Sequence, residues 1–136
     1  MPPSVRFIVA VAFLIERDGR LLMIRRSADR DHAPGEWECG SGRLEAGEEP
    51  EAAVVREARE ETGLEVEVIA PVGAFHYYRG PEREEAVCIA YHCRAIGGEV
   101  RVSNEHDAAE WVSLDRVDRI PVSQPLRDCL TRFVRP

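Results

Sequence analysis

Two apolar runs open the chain. Residues 6–16 and 20–26 are rich in Val, Ile, Leu and Phe, and Asp18-Gly19 between them is a pair that a two-residue hairpin favours. The run FIVAVAFLI is too short to span a membrane and leads straight into that turn, so it is read as a buried strand. Residues 27–36 are polar around Pro34-Gly35 and predict a loop; residues 37–44 predict a short extended segment punctuated by glycine. Glu49-Pro50 then suits a helix start, and Gly63 a helix end. Alternation predicts strands over 64–70, 72–79 and 85–95, with a turn at Gly80-Pro81. Gly97-Gly98 predicts a turn into a further strand over 99–102. Residues 103–109 predict a polar loop that ends at a strand around Glu110-Trp111. Ser113-Leu114-Asp115 predicts a short helix. Ser123-Gln124-Pro125 predicts the start of a last one, whose Leu126, Cys129, Leu130 and Phe133 share one apolar face. The sum is an α/β layer arrangement in a single domain, residues 1–136.

Composition narrows the partners. The chain has 136 residues, 44% hydrophobic and 32% charged, which suits one globular domain with a proper core. A net charge of −7 argues against a nucleic-acid or anionic-membrane surface. It is compatible with a small anionic substrate if a metal supplies positive charge. All 18 basic residues are arginine. Cysteines at 39, 88, 93 and 129 form no CxxC pair, so no zinc site is expected. With the first apolar run read as a strand and nothing indicating secretion, no disulfides are expected and the default location is cytoplasmic. A homodimer is left open.

Candidate chemistry sits in the predicted helix. At about 100° per residue, Glu57, Glu60 and Glu61 share one face, beside a seam of Val54 and Ala58. Three carboxylates close to a core repel one another and resist ionisation. A hard divalent cation with oxygen ligands, shared with substrate phosphates, resolves that conflict. The alternative is a solvated face paired to Arg56 and Arg59.

Spacing decides between the two. Residues 42–64 read G-x5-E-x7-R-E-A-x-E-E-x-G-L, and in this they resemble the Nudix hydrolase signature in full. The resemblance implies a curved mixed sheet sandwiched between helices. It also implies Mg²⁺ as cofactor, with Mn²⁺ as substitute, and hydrolysis of a phosphoanhydride in a nucleoside diphosphate linked to a further group X. On the same footing Glu57, Glu60 and Glu61 are metal ligands, Arg56 and Glu48 brace the loop and helix, and Gly42 and Gly63 serve the backbone. Trp37 followed by Gly40-Ser41-Gly42 stands where the family commonly has W-x-x-P-G-G, which puts Ser41 where a backbone carbonyl often touches metal. Glu105 is the expected acid from outside the signature, as base or extra ligand, ahead of Glu110 and His106. Glu45 and the Glu82, Glu84, Glu85 cluster are lesser candidates. Outside the signature, Phe75, Tyr77, Arg25 and Arg79 are expected to meet the substrate, by stacking or by pairing with phosphate. The identity of X stays open among nucleoside triphosphates, ADP-ribose and nucleotide sugars. A nucleotide-sensing domain without turnover is the competing function.

Overall fold

The computed structural model describes residues 6–31 and 33–134; the expectations that touch residues 1–5, 32, 135 and 136 lie outside them. The described residues form a seven-stranded mixed sheet with a helix on each face. The opening hairpin is as expected: β1 (Ile8–Arg17) and β2 (Arg20–Arg26) join through Asp18 and Gly19, whose φ values are 51° and 74°. β1 pairs with β2 only at Glu16↔Leu21 and Arg17↔Arg20, after which the two strands part. Into the gap comes β4 (Ser41–Arg43), which pairs antiparallel with Ala10, Ala12 and Val11 of β1. The short β3 (Trp37–Glu38) pairs with β2 instead. This split places the start of the Gly42 loop against the middle of the sheet.

Helix α1 (Pro50–Thr62) begins with proline in its first turn and ends at Gly63, whose φ of 78° is left-handed. A side chain there would meet the Glu99 carbonyl at 2.4 Å, so both space and conformation call for glycine. β5 (Leu64–Arg79) and β6 (Glu84–Gly98) form a long antiparallel hairpin, and β6 lies parallel to β1 from Ile8↔Ala86 to Glu16↔Arg94. β7 (His106–Ser113) pairs with β2. A 3₁₀ turn (Val117–Arg119) leads to α2 (Gln124–Val134), which buries Cys129 and Leu130.

Several boundaries differ from expectation. β6 runs on through the expected Gly97-Gly98 turn, because β5 offers these residues partners at Glu65 and Leu64. Residues 64–79 are one strand, not two: β5 lies at the sheet edge and absorbs Pro71 through register shifts on either side of it. Residues 99–102 form no strand, because their backbone serves α1: the Arg101 N–H donates to the Thr62 carbonyl and the Ser103 N–H to the Glu61 carbonyl. Those carbonyls have no partner within the helix. The last strand starts at His106 rather than near Glu110, since β2 offers it partners from Arg26 onward.

Alternation along the central strands divides the core. Val11, Phe13, Ile15, Leu22, Ile24, Tyr91 and Cys93 face α1 and meet its Ala53, Val54 and Ala58. Leu14, Leu21, Met23 and Ala90 face α2 with Cys129 and Leu130. All four cysteines are free and buried. Among the described residues, no helix is long and apolar enough to cross a membrane.

Candidate active site

Arg56 organises the acidic face of α1. Its Nε and Nη2 donate to the two Glu48 oxygens at 2.8 and 2.9 Å, Nη2 also to the Arg43 carbonyl at 3.2 Å, and Nη1 to Glu57 at 2.8 Å and Glu60 at 3.3 Å. The guanidinium therefore ties the loop to the helix and splays over two carboxylates at once. It holds the Glu48 carboxyl down to about 2, with the Glu45 N–H helping. The Glu45 side chain is a looser partner, 3.7 Å from Arg56 and well exposed.

Glu57 and Glu61 feel the opposite environment. Burial raises Glu57 above its ordinary value; Arg56 works against the rise, and Glu60 and Glu105 add to it. The Glu57 carboxyl packs onto Gly42, where a Cβ would fall 2.1 Å from Glu57 Cδ, so the close approach needs glycine. Glu61 is only 7% exposed. Burial pushes its carboxyl up to about 8; the Ser41 N–H, donating to Oε1 at 3.2 Å, opposes this, while Glu38, Glu57 and Glu105 reinforce it. Glu60 is more than half exposed.

Glu105 comes to this cluster from the turn that precedes β7. Its carboxylate is half exposed, lies 3.3 Å from Arg30, and is close enough for its charge to raise Glu57 and Glu61. Glu110 lies opposite Met23 and is exposed, and His106 is buried against Glu38. In the Glu82, Glu84, Glu85 group, Glu85 pairs with His76 at 3.5 Å.

Beside the acids lies a cavity of about 320 Å³, walled by β1, β5, β6, the segment 38–41 and the start of α2. Phe75 and Tyr77 line it, as do Glu38 and Ser41; Ala10, Ala12, Cys88 and Ala90 form much of its apolar wall. Ser41 thus touches both features, with its N–H on Glu61 and its residue in the cavity wall. Alternation sends His76 and Tyr78 away from that wall, where their rings meet edge to face with centroids 5.0 Å apart. Arg79 does not line the cavity, but its charge reaches Tyr77: burial raises the Tyr77 hydroxyl, and Arg79 and Arg43 oppose the rise. Arg25 is not brought to the cavity. It is taken by Asp107 at 2.8 Å and lies over Trp37.

Glu38 and Arg43 belong to the site and were not singled out in the sequence. The available signal was their position, one on either side of Gly40-Ser41-Gly42 in a segment expected to be extended.

The donor set is all oxygen, which suits a hard dication rather than zinc or copper. Two of its members, Glu57 and Glu61, hold protons more tightly than ordinary glutamates, a cost that a bound cation removes. Among the described residues, no three such side chains already surround one point as a cage would. Mg²⁺ needs no cage, since it keeps waters and shares substrate phosphates.

The family model for the NUDIX domain matches residues 5–133. The chain belongs to the Nudix family. Among its Nudix relatives, the CTP pyrophosphohydrolase of Escherichia coli (strain K12) is 36% identical over 122 residues, 87% of this chain and 84% of that protein. A MutT-like protein of Streptomyces ambofaciens is also 36% identical, over 115 residues, 85% of this chain and 69% of that protein. The solution structure of the Escherichia coli ORF135 protein superposes with a TM-score of 0.79 at 32% identity, covering 99% of both chains. The protein is accordingly a Nudix hydrolase, and its sheet, helices and signature loop have the family's arrangement. Nudix enzymes generally depend on a divalent metal.

Proposed function

We propose that this Nudix hydrolase cleaves a phosphoanhydride of a nucleoside triphosphate, with Mg²⁺, or Mn²⁺ in its place, as cofactor. The observation that carries the reading is the junction at Ser41, where the buried Glu61 carboxylate adjoins a cavity walled by Phe75 and Tyr77. Cavities of about 300 Å³ and more hold small ligands, and aromatic walls stack on bases. The similarity to a CTP pyrophosphohydrolase supports a nucleoside triphosphate among the X-linked diphosphates.

Glu57, Glu60 and Glu61 would hold the cation. When bound there, such an ion would neutralise the diphosphate charge and lower the pKa of a water. Glu105, with its half-exposed carboxylate, takes the proton of the attacking water. The water oxygen bonds to phosphorus as the bridging oxygen departs opposite it with the bonding electron pair. Phe75 and Tyr77 hold the base, and Arg79 with Arg43 meets the phosphates. Arg56 and Glu48 keep the carboxylates in place without touching the substrate.

The test is product release from CTP, other nucleoside triphosphates, ADP-ribose, nucleotide sugars and dinucleoside polyphosphates, with Mg²⁺ and with Mn²⁺, and Glu60→Gln as blank. Efficient turnover of a triphosphate, lost in the blank, is the expected result. Nucleotide binding without any turnover would replace this reading with that of a sensor.

A further inference from the structure

His106 lies one residue beyond Glu105, at the start of β7, and its side chain is 1% exposed. Its Nε2 is 2.6 Å from Glu38 Oε1, while Nδ1 is buried and has no hydrogen-bond partner. A ring proton on Nδ1 would meet no acceptor, whereas one on Nε2 is taken by Glu38. Glu38 is a wall residue of the cavity, and Arg26 holds its other oxygen at 3.5 Å. Burial alone would raise the Glu38 carboxyl, but His106 and Arg26 together bring it below its ordinary value. The acceptor that His106 meets is therefore a carboxylate, and the bond is charge-assisted.

The turn that carries Glu105 is also tied at its start to α1, where the Ser103 N–H donates to the Glu61 carbonyl at 3.2 Å, and along its outer side by Ser27 Oγ on the Asn104 carbonyl at 3.2 Å and Arg30 Nη1 on the Glu105 carbonyl at 3.3 Å. The Ser27 N–H donates to the Glu105 carbonyl at 3.0 Å, the His106 N–H to the Ser103 carbonyl at 3.1 Å, and the Glu105 N–H to Ser103 Oγ at 3.3 Å. Among the described residues, the half-exposed Glu105 carboxylate pairs with the partly exposed Arg30 at 3.3 Å. Exposed pairs of that kind hold geometry poorly. Ser103 holds the start of the turn by its backbone; at the end next to Glu105 the buried side-chain anchor is His106.

We propose that His106 is a positioning residue: its bond to Glu38 fixes the turn of residues 103–106, and so sets the Glu105 carboxylate against Glu57 and Glu61. This rests on the role given to Glu105 above. The bond also joins the wall that faces the substrate to the acid that receives the proton, so one buried contact keeps the cavity and the acid cluster in register.

The test is a double-mutant cycle with hydrogen exchange as a second readout. His106→Phe keeps the ring's bulk and loses the donor; His106→Gln restores a donor near the Nε2 position. With CTP and Mg²⁺, His106→Phe is expected to lower kcat by about 10–100-fold, the usual effect of removing an orienting partner, with KM changed little. His106→Gln should recover most of the loss. In a Glu105→Gln background, His106→Phe should cost less than about twofold, because a residue that acts through another is silent once that one is gone. Exchange of the Ser27 amide, which is bonded to Glu105, should quicken in His106→Phe and slow again in His106→Gln. Equal losses from His106→Phe in both backgrounds would overturn the proposal, as would a Gln variant no better than Phe, or unchanged Ser27 exchange. Absence of CTP turnover by the unaltered protein would count against the nucleotide reading alone, since the exchange arm reads the anchor directly.

Discussion

On the α1 side of the sheet, β1 presents Val11, Phe13 and Ile15, each fully buried; on the α2 side the same strand presents Ala10, Ala12 and Leu14. β6 repeats the contrast, with Tyr91 and Cys93 towards α1 and Cys88 and Ala90 towards α2. One side uses its volume to fill space around the helix that bears the acids. The other uses small side chains and so keeps about 320 Å³ open beneath α2. Rigidity and access are thus separated by the two-residue period of a strand. Ser41 and Glu61 sit where the two sides meet.

The sharpest way to break this contrast is at that meeting point. Glu61→Gln keeps the side chain's shape and should lower kcat/KM by about 10³-fold or more, if the carboxylate holds the cation. A steady-state comparison with near-normal turnover would refute the role. Next comes the filled side. Phe13→Ala should cost about 3–5 kcal/mol by denaturant unfolding, the range for a buried aromatic, while folded molecules keep their KM. The open side should answer inversely: Ala12→Leu pushes bulk into the cavity and should raise KM by about 10–100-fold. Its stability should change by less than about 1.5 kcal/mol, because the added volume has somewhere to go. A KM effect from Phe13→Ala, or none from Ala12→Leu, would dissolve the distinction.

The smallest effects concern pH. Glu61 binds its proton more tightly folded than unfolded, so the folded chain holds more protons between its ordinary 4.5 and about 8. Without a cation, stability should therefore fall as pH rises through that window. Glu48 is held down to about 2 by Arg56, and its contribution should be present above 4.5 and fade as pH falls towards 2. Thermal melts in chelator should show Glu61→Gln flattening the alkaline limb and Glu48→Gln the acid limb. A melting profile whose alkaline limb survives Glu61→Gln would show that other groups set it.

What could be read from the sequence was what neighbours in the chain decide. The Asp18-Gly19 hairpin and both ends of α1 depend on local backbone preferences, and they fall where those preferences put them. The acidic face was legible because a helix fixes the relation of Glu57 to Glu60 and Glu61. Residues 99–102 alternate as a strand would, yet the Arg101 N–H is claimed by the end of a helix nearly 40 residues earlier, which no local pattern reports. The same holds for arginines. Arg25, Arg43 and Arg79 are chemically equal in the sequence, and only strand pairing gives the first to Asp107 and the other two to the neighbourhood of Tyr77. Glu38 was missed because its importance comes from His106, 68 residues away.

The bonds from Arg101 and Ser103 to the end of α1 bear on how the chain tolerates changes of length. Because those N–H groups are docked on the Thr62 and Glu61 carbonyls, the path from there to Glu105 is only two to four residues long. One residue added or lost between 101 and 105 would be passed on as a displacement of the acid, with nowhere to be absorbed. The turn at residues 80–83, between two strands that pair with each other, carries no such duty. A tag, label or loop graft belongs there.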